Sequence, residues 1–291
     1  MVKVKEYKNP NELLEHIKTK GIIVLDNNST LEKIKKYSYY SIINSYKDVF
    51  KNSDNEYNEG VSFDEIFALY EFDKNLRLIF LKYILEIEIN IKSILSEVIS
   101  ANYGIKDYLI VKNYDETIDE TLIQESIDKI QDEINKQNGK HTAITHYINK
   151  YGFVPPYVLI KILTLGELSK LFTMLKQIDR QLVSKEFKIS DKLLKQIMKN
   201  MTLVRNICAH NDRLFSFHSK FLISFKQVDK DYMNKDKSTN IYMIGKSMQL
   251  LLGDAKGKEF AEEIICEFEK LKYKVKSTYT DKILCLMGFY E

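Results

Sequence analysis

Arg205, Asn206 and His210 fall within six residues of one another, inside the run Arg-Asn-Ile-Cys-Ala-His-Asn-Asp-Arg-Leu-Phe from Arg205 to Phe215. An arginine holds phosphate through a planar fork of donors and keeps its charge at any physiological pH. Histidine titrates near neutrality, which suits proton transfer. A phosphate clamp beside a proton carrier is a minimal kit for cutting a phosphodiester whose nucleophile is already in place. RNA offers such a bond, because its 2′-hydroxyl can attack the adjacent phosphorus.

These residues lie at the end of an apolar-periodic segment, and the periodicity predicts a helix over about 191–209. With about 100° per residue, Lys192, Lys195, Lys199, Thr202, Asn206 and His210 share a sector of about 80°. Leu193, Leu194, Ile197, Met198, Met201, Val204 and Cys208 occupy the opposite side. Asn206 and His210 are four apart and therefore neighbours. A lysine stripe leading to an Asn/His pair suits a phosphate backbone, and it also suits a plain solvated face. Arg205 lies about 140° from His210 on a straight helix. Three arrangements could reconcile them: a helix that ends or distorts before His210, an arginine that reaches around, or a composite site built from two chains. Metal-free RNA cleavage needs a base for the 2′-hydroxyl proton and an acid for the leaving 5′-oxygen. A two-fold dimer supplies two histidines and two arginines around one cleft, so a homodimer is expected.

The elements that must carry this segment read as helices throughout. The chain has 291 residues with 3 Pro and 10 Gly, so punctuation is sparse and long helices are favoured over a many-stranded sheet. A 44% hydrophobic and 29% charged composition describes a folded chain rather than a disordered one. Helices are predicted over about 11–20, 30–46, 62–103, 116–136, 142–150, 156–176, 191–209, 239–252 and 256–277, with a brief extended piece at 21–25 and a loop at 51–60. Ser62-Phe-Asp-Glu65 has the form of a capping box, and Gly104 follows the last residue of the helix it opens. That length implies a kink or a central helix around which the rest packs. The expected organisation is an all-α bundle with an N-terminal subregion (1–60), a core carrying the Arg-x4-His motif (61–220) and a C-terminal extension (221–291), together one unit.

Three blocks, Leu69-Tyr-Glu-Phe-Asp-Lys-Asn-Leu-Arg77, Tyr151-Gly-Phe-Val-Pro155 with Leu163-Thr-Leu-Gly166, and Arg205 to Phe215, occur in that order. In this the chain resembles the abortive-infection (Abi) proteins of the AbiD/AbiF type, which are HEPN-like anti-phage proteins of bacteria, over about residues 37–217. The Arg-x4-His spacing, with Asn after Arg, resembles the signature of the HEPN superfamily of metal-independent ribonucleases. One departure is Pro156-Tyr157, where the family pattern is more apolar and carries tryptophan; this chain has 0 Trp. The resemblance implies a HEPN-like helical bundle and a metal-independent endoribonuclease of the abortive-infection or toxin type. Arg205, Asn206 and His210 take the family's catalytic positions. Lys192, Lys195, Lys199, Asn211 and Arg213 are candidate RNA contacts. RNA is the implied substrate, and a regulatory noncoding RNA restrains some relatives. The alternative is an RNA-binding or sensor module in phage defence that does not cut.

Other signals are weaker. A net charge of +3 is too small to argue nucleic-acid binding globally, so any such binding must be local. Cys208, Cys266 and Cys285 form no Cys-x-x-Cys pair, and their odd number suits a reducing cytoplasm. The N-terminus lacks the apolar core of a signal peptide, and no run approaches the roughly 18 apolar residues of a membrane span. His141 and His146 lack the i, i+4 spacing of a zinc-protease pair, and no Gly-rich phosphate loop occurs. No metal and no other cofactor is expected. The 19 tyrosines read as packing residues more readily than as base-stacking ones.

Overall fold

Ser62 opens the element on which everything else rests. Its hydroxyl accepts from the Glu65 N–H at 3.2 Å, and the Glu65 carboxylate accepts from the Ser62 N–H at 3.0 Å, closing the expected capping box. The computed structural model describes residues 6–233 and 237–290. Before Ser62 lie α1 (Pro10–Thr19) and α2 (Asn27–Tyr37). After it, α3 (Phe63–Tyr103) runs unbroken for 41 residues, about 60 Å at 1.5 Å per residue. It stops at Gly104, whose φ of 79° a glycine adopts without steric cost. Of the two alternatives for this long segment, the central helix is the one observed. Its apolar repeat, from Phe63 through Leu76, Phe80, Ile84, Ile87 and Ile91 to Ile99, is buried along the whole length.

The helices that follow are α4 (Glu120–Gln137), α5 (Thr142–Tyr151), α6 (Pro156–Leu159), α7 (Leu165–Met174), α8 (Gln177–Lys185) and α9 (Asp191–His210). A short ribbon pairs β1 (His218–Ser219) antiparallel with β2 (Thr239–Asn240); then come α10 (Ile241–Lys272) and α11 (Ser277–Met287). Of the described residues, 69% are helical, so the all-α expectation holds. The second stretch of α10 lies antiparallel to α3: Glu263 meets Lys82 and Tyr83, Glu267 meets Asn75, and the Lys276 N–H reaches Glu65. Phe260 wedges edge-on against Phe80 and Tyr83. Buried apolar side chains from Ile17 to Met287 belong to one contiguous core.

Several boundaries differ from the sequence expectation. The helix expected over 30–46 is interrupted at Ser38, whose φ is 63°, and resumes as a π-helical turn over Tyr40–Asn44. The helix expected over 156–176 is two pieces. Thr164 starts the second with its own capping box to Glu167, and this local hydrogen bonding overrides the apolar continuity of Ile160 to Leu165. Two further helices, α8 and α11, lie in stretches where no helix was expected, after 176 and after 277. The predicted extended piece is reduced to Ile23, which exchanges backbone hydrogen bonds of 2.8 Å with Val61 and Phe63. Among the described residues, no helix is long and apolar enough to cross a membrane.

Candidate functional site

Ser190 caps α9 by accepting from the Leu193 N–H. Leu193, Leu194, Ile197, Met198, Met201, Val204 and Cys208 are buried, as the periodicity requires. Lys192, Lys195, Lys199, Asn206 and His210 are exposed on the other side. Lys199 lies over the Phe221 ring at 3.5 Å from its centroid. The helix continues through His210, which removes one of the three arrangements considered for Arg205. Arg205 is half-buried, and its Nε is enclosed without a hydrogen-bond partner. Asn206 and His210 therefore face solvent together, while Arg205 sits at the seam of the apolar face.

Asn211 ends α9 in the left-handed conformation, with φ 58°, and the Asp212 N–H folds back to the Ile207 carbonyl at 3.0 Å. What holds the chain beyond this cap comes from α3. The Asp73 carboxylate, fully buried, accepts from the backbone N–H of Leu214 at 3.1 Å and of Phe215 at 2.7 Å. It also accepts from the Tyr46 hydroxyl at 2.7 Å and from Arg77 Nη1 at 2.5 Å. The same Nη1 lies 3.2 Å from the Asp212 carbonyl, and the Tyr46 ring stacks on Phe215. Burial pushes the Asp73 carboxyl up, while Arg77, Tyr46 and the two backbone N–H groups pull it down. Every neighbour within bonding distance can donate to it, so the geometry is that of a carboxylate. Cys208 sits close to this pair, and burial pushes its thiol up to about 12.

In the sequence, Asp73 and Arg77 stand out only as letters of the first block. The signal was available: both fall on the apolar face of α3, four apart and opposite in charge, among Leu69, Phe72 and Leu76. The second block reaches α9 by a different contact. Gly166, in the first turn of α7, comes so close to α9 that an added Cβ would lie 3.2 Å from Thr202 Cγ2. The three blocks, spread over some 140 residues of sequence, thus converge on one helix and the turn that follows it.

Arg213 is the predicted site residue placed least like an open contact. It donates to the Ser45 carbonyl at 2.8 Å and to Ser216 Oγ at 2.6 Å, and it covers the Phe215 ring. Its role in the structure is to pin the post-motif turn to the segment before α3. Asn211 is exposed and caps the helix. His141 caps α5 by accepting from the Ile144 N–H, and His146 lies edge-on to Tyr147 and Tyr151.

A family model described as Abi-like protein matches residues 32–216, well over half of the chain and all three blocks. No curated protein and no solved structure matches it.

Proposed function

The chain belongs to the Abi-like protein family, and from that premise we propose that it is a HEPN-type, metal-independent endoribonuclease acting in abortive infection. The observation that carries this reading is the exposed Asn206/His210 pair at the end of a lysine stripe, on a helix whose exit is fixed by buried Asp73 and Arg77. In the reaction, the 2′-oxygen attacks phosphorus, the bond from phosphorus to the 5′-oxygen breaks, and the products carry a 2′,3′-cyclic phosphate and a 5′-hydroxyl. His210 of one copy takes the 2′-hydroxyl proton. Protonated His210 of a second copy gives a proton to the leaving oxygen. Arg205 neutralises the charge that develops on the phosphate, and Asn206 orients the histidine or a phosphate oxygen. The two-copy arrangement answers the angular separation of Arg205 and His210 within one helix.

The test is cleavage of RNA in EDTA by wild type and by His210→Ala. Wild type should cut and the variant should lose at least about a hundredfold, the low end for general acid–base catalysis. Equal rates would remove His210 from the mechanism. Because His210 is exposed, the substitution should leave the melting temperature unchanged. The half-enclosed Arg205 favours one second reading, a single-chain site that binds RNA without cutting. Intact RNA on the purified protein, with no cleavage in EDTA, would establish it.

A further inference from the structure

Residues 134–166 contain no Asp or Glu, in a chain that has 41 of them. The same stretch carries Lys136, Lys140, Lys150 and Lys161, all exposed and none in an ion pair among the described residues. Within this stretch α5 presents Tyr147 and Tyr151 one turn apart, with ring centroids 5.3 Å from each other. Gly152 then ends the helix with φ 74°, and the buried Val154, Pro155 and Pro156 turn the chain back. The turn is anchored by the buried Tyr108, whose hydroxyl donates to the Val154 carbonyl at 2.7 Å. It returns Tyr157 to Tyr147, ring centroids 6.0 Å and hydroxyls 3.3 Å apart. Tyr151 and Tyr157 nevertheless stay 48% and 43% exposed. Two exposed tyrosines gathered around Tyr147 on an anchored turn are more than the scattered apolar exposure of an ordinary face.

We propose that Tyr147, Tyr151 and Tyr157, flanked by Lys140 and Lys150, form a stacking platform for single-stranded RNA, separate from the Arg/His cluster. The charge selects the partner: exposed lysines in an acid-free stretch attract a polyanion, and the stretch gives a basic protein surface no complementary carboxylate. The rings select the strand, because unstacked bases can lie on tyrosine faces whereas a duplex hides them. Stacking tolerates any base, so the platform fits RNA of mixed sequence. The acid-free run ends at Gly166, which rests on Thr202 in the α9 stripe. The choice of RNA over other polyanions rests on the ribonuclease reading above.

Binding separates the two ideas. Fluorescence anisotropy is measured on full-length protein carrying His210→Ala, with a labelled mixed-sequence single strand and with a duplex of the same length. Single strand should bind more tightly than duplex. Adding Tyr151→Ala and Tyr157→Ala should weaken single-strand binding by at least about tenfold, since stacking contributes about 1–3 kcal/mol per base. Tyr151→Phe with Tyr157→Phe, which keeps the rings, should bind within about twofold of the parent. Lys140→Gln with Lys150→Gln should flatten the salt dependence; this arm decides the matter if the alanine protein does not fold. Unchanged affinity in the alanine protein, unchanged salt dependence in the glutamine protein, or equal affinity for duplex would overturn the platform. Capture of a protein on this face with no RNA affinity would do the same. If wild type does not cleave RNA but the tyrosines still govern binding, the ribonuclease reading fails and the platform stands. If wild type cleaves and the tyrosines change neither binding nor rate, the reverse holds.

Discussion

Asp73 carries the largest expected penalty of any single side chain near the motif. Asp73→Ala leaves the buried Arg77 guanidinium without its anion and two buried N–H groups without an acceptor. The expected cost is about 3–5 kcal/mol, read from the midpoint of chemical denaturation. Arg77→Ala should cost a comparable amount, and the double replacement Asp73→Leu/Arg77→Met less than the sum, because no lone charge remains. It should not return to wild type, since the Leu214 and Phe215 amides stay unpaired. At this scale the exposure of Asn206 and His210 and the offset of Arg205 were legible in the sequence, because residue type and spacing fix them once the segment is a helix. Asp73 was not read as a site residue. Hydrophobic periodicity counts apolar residues and passes over a charge that is buried because it has partners.

Among the elements, glycine controls the geometry of α10. The sequence expectation of a break between 252 and 256 corresponds to Gly253, whose φ of 76° and ψ of 176° interrupt the helix. The two stretches then approach so closely that a Cβ on Gly257 would lie 2.7 Å from the Gln249 carbonyl oxygen. Gly257→Ala must push backbone, so it should destabilise by about 1–3 kcal/mol despite the better helix propensity of alanine. A lowered denaturation midpoint with unchanged far-UV helicity is the expected result. The same lesson explains the split of 156–176 and the early end of α2. Both boundaries are set by one residue, a capping Thr164 and a left-handed Ser38, inside stretches whose apolar content continues. Hydrophobic periodicity locates the long helices and passes over α8 and α11, and it locates ends best where glycine or proline marks them.

Across the whole molecule, one arginine ties together segments far apart in sequence. Arg180 pairs with Asp115 at 2.8 Å and with Asp191 at the start of α9 at 3.2 Å, and it donates to the Leu175 carbonyl. These hydrogen bonds hold the Asp115 carboxyl down to about 2. A carboxyl depressed on folding contributes stability that is complete above its unfolded value, near 4, and is lost as pH falls through about 2. Asp115→Asn should therefore lower stability at neutral pH and flatten the acid limb between those values in a pH series of thermal melts. The cysteines report on global integrity in the same way. Cys266 and Cys285 are exposed and should alkylate quickly, whereas Cys208 is buried with its thiol held protonated. Mass spectrometry should show two fast additions to the native protein and a third only with denaturant.

The turn after His210 is fastened by the backbone amides of two fully buried residues, both bonded to a carboxylate inside α3. Such amides can swap their hydrogens for deuterium only when the long helix itself lets go. The Leu214 and Phe215 amides should accordingly exchange as slowly as those of Ile84 or Ile87, unlike the amides of an ordinary surface turn. In Asp73→Ala they should exchange within the dead time of the experiment. Slow exchange there would mean that the exit of the motif helix and the backbone of the fold open as a single event.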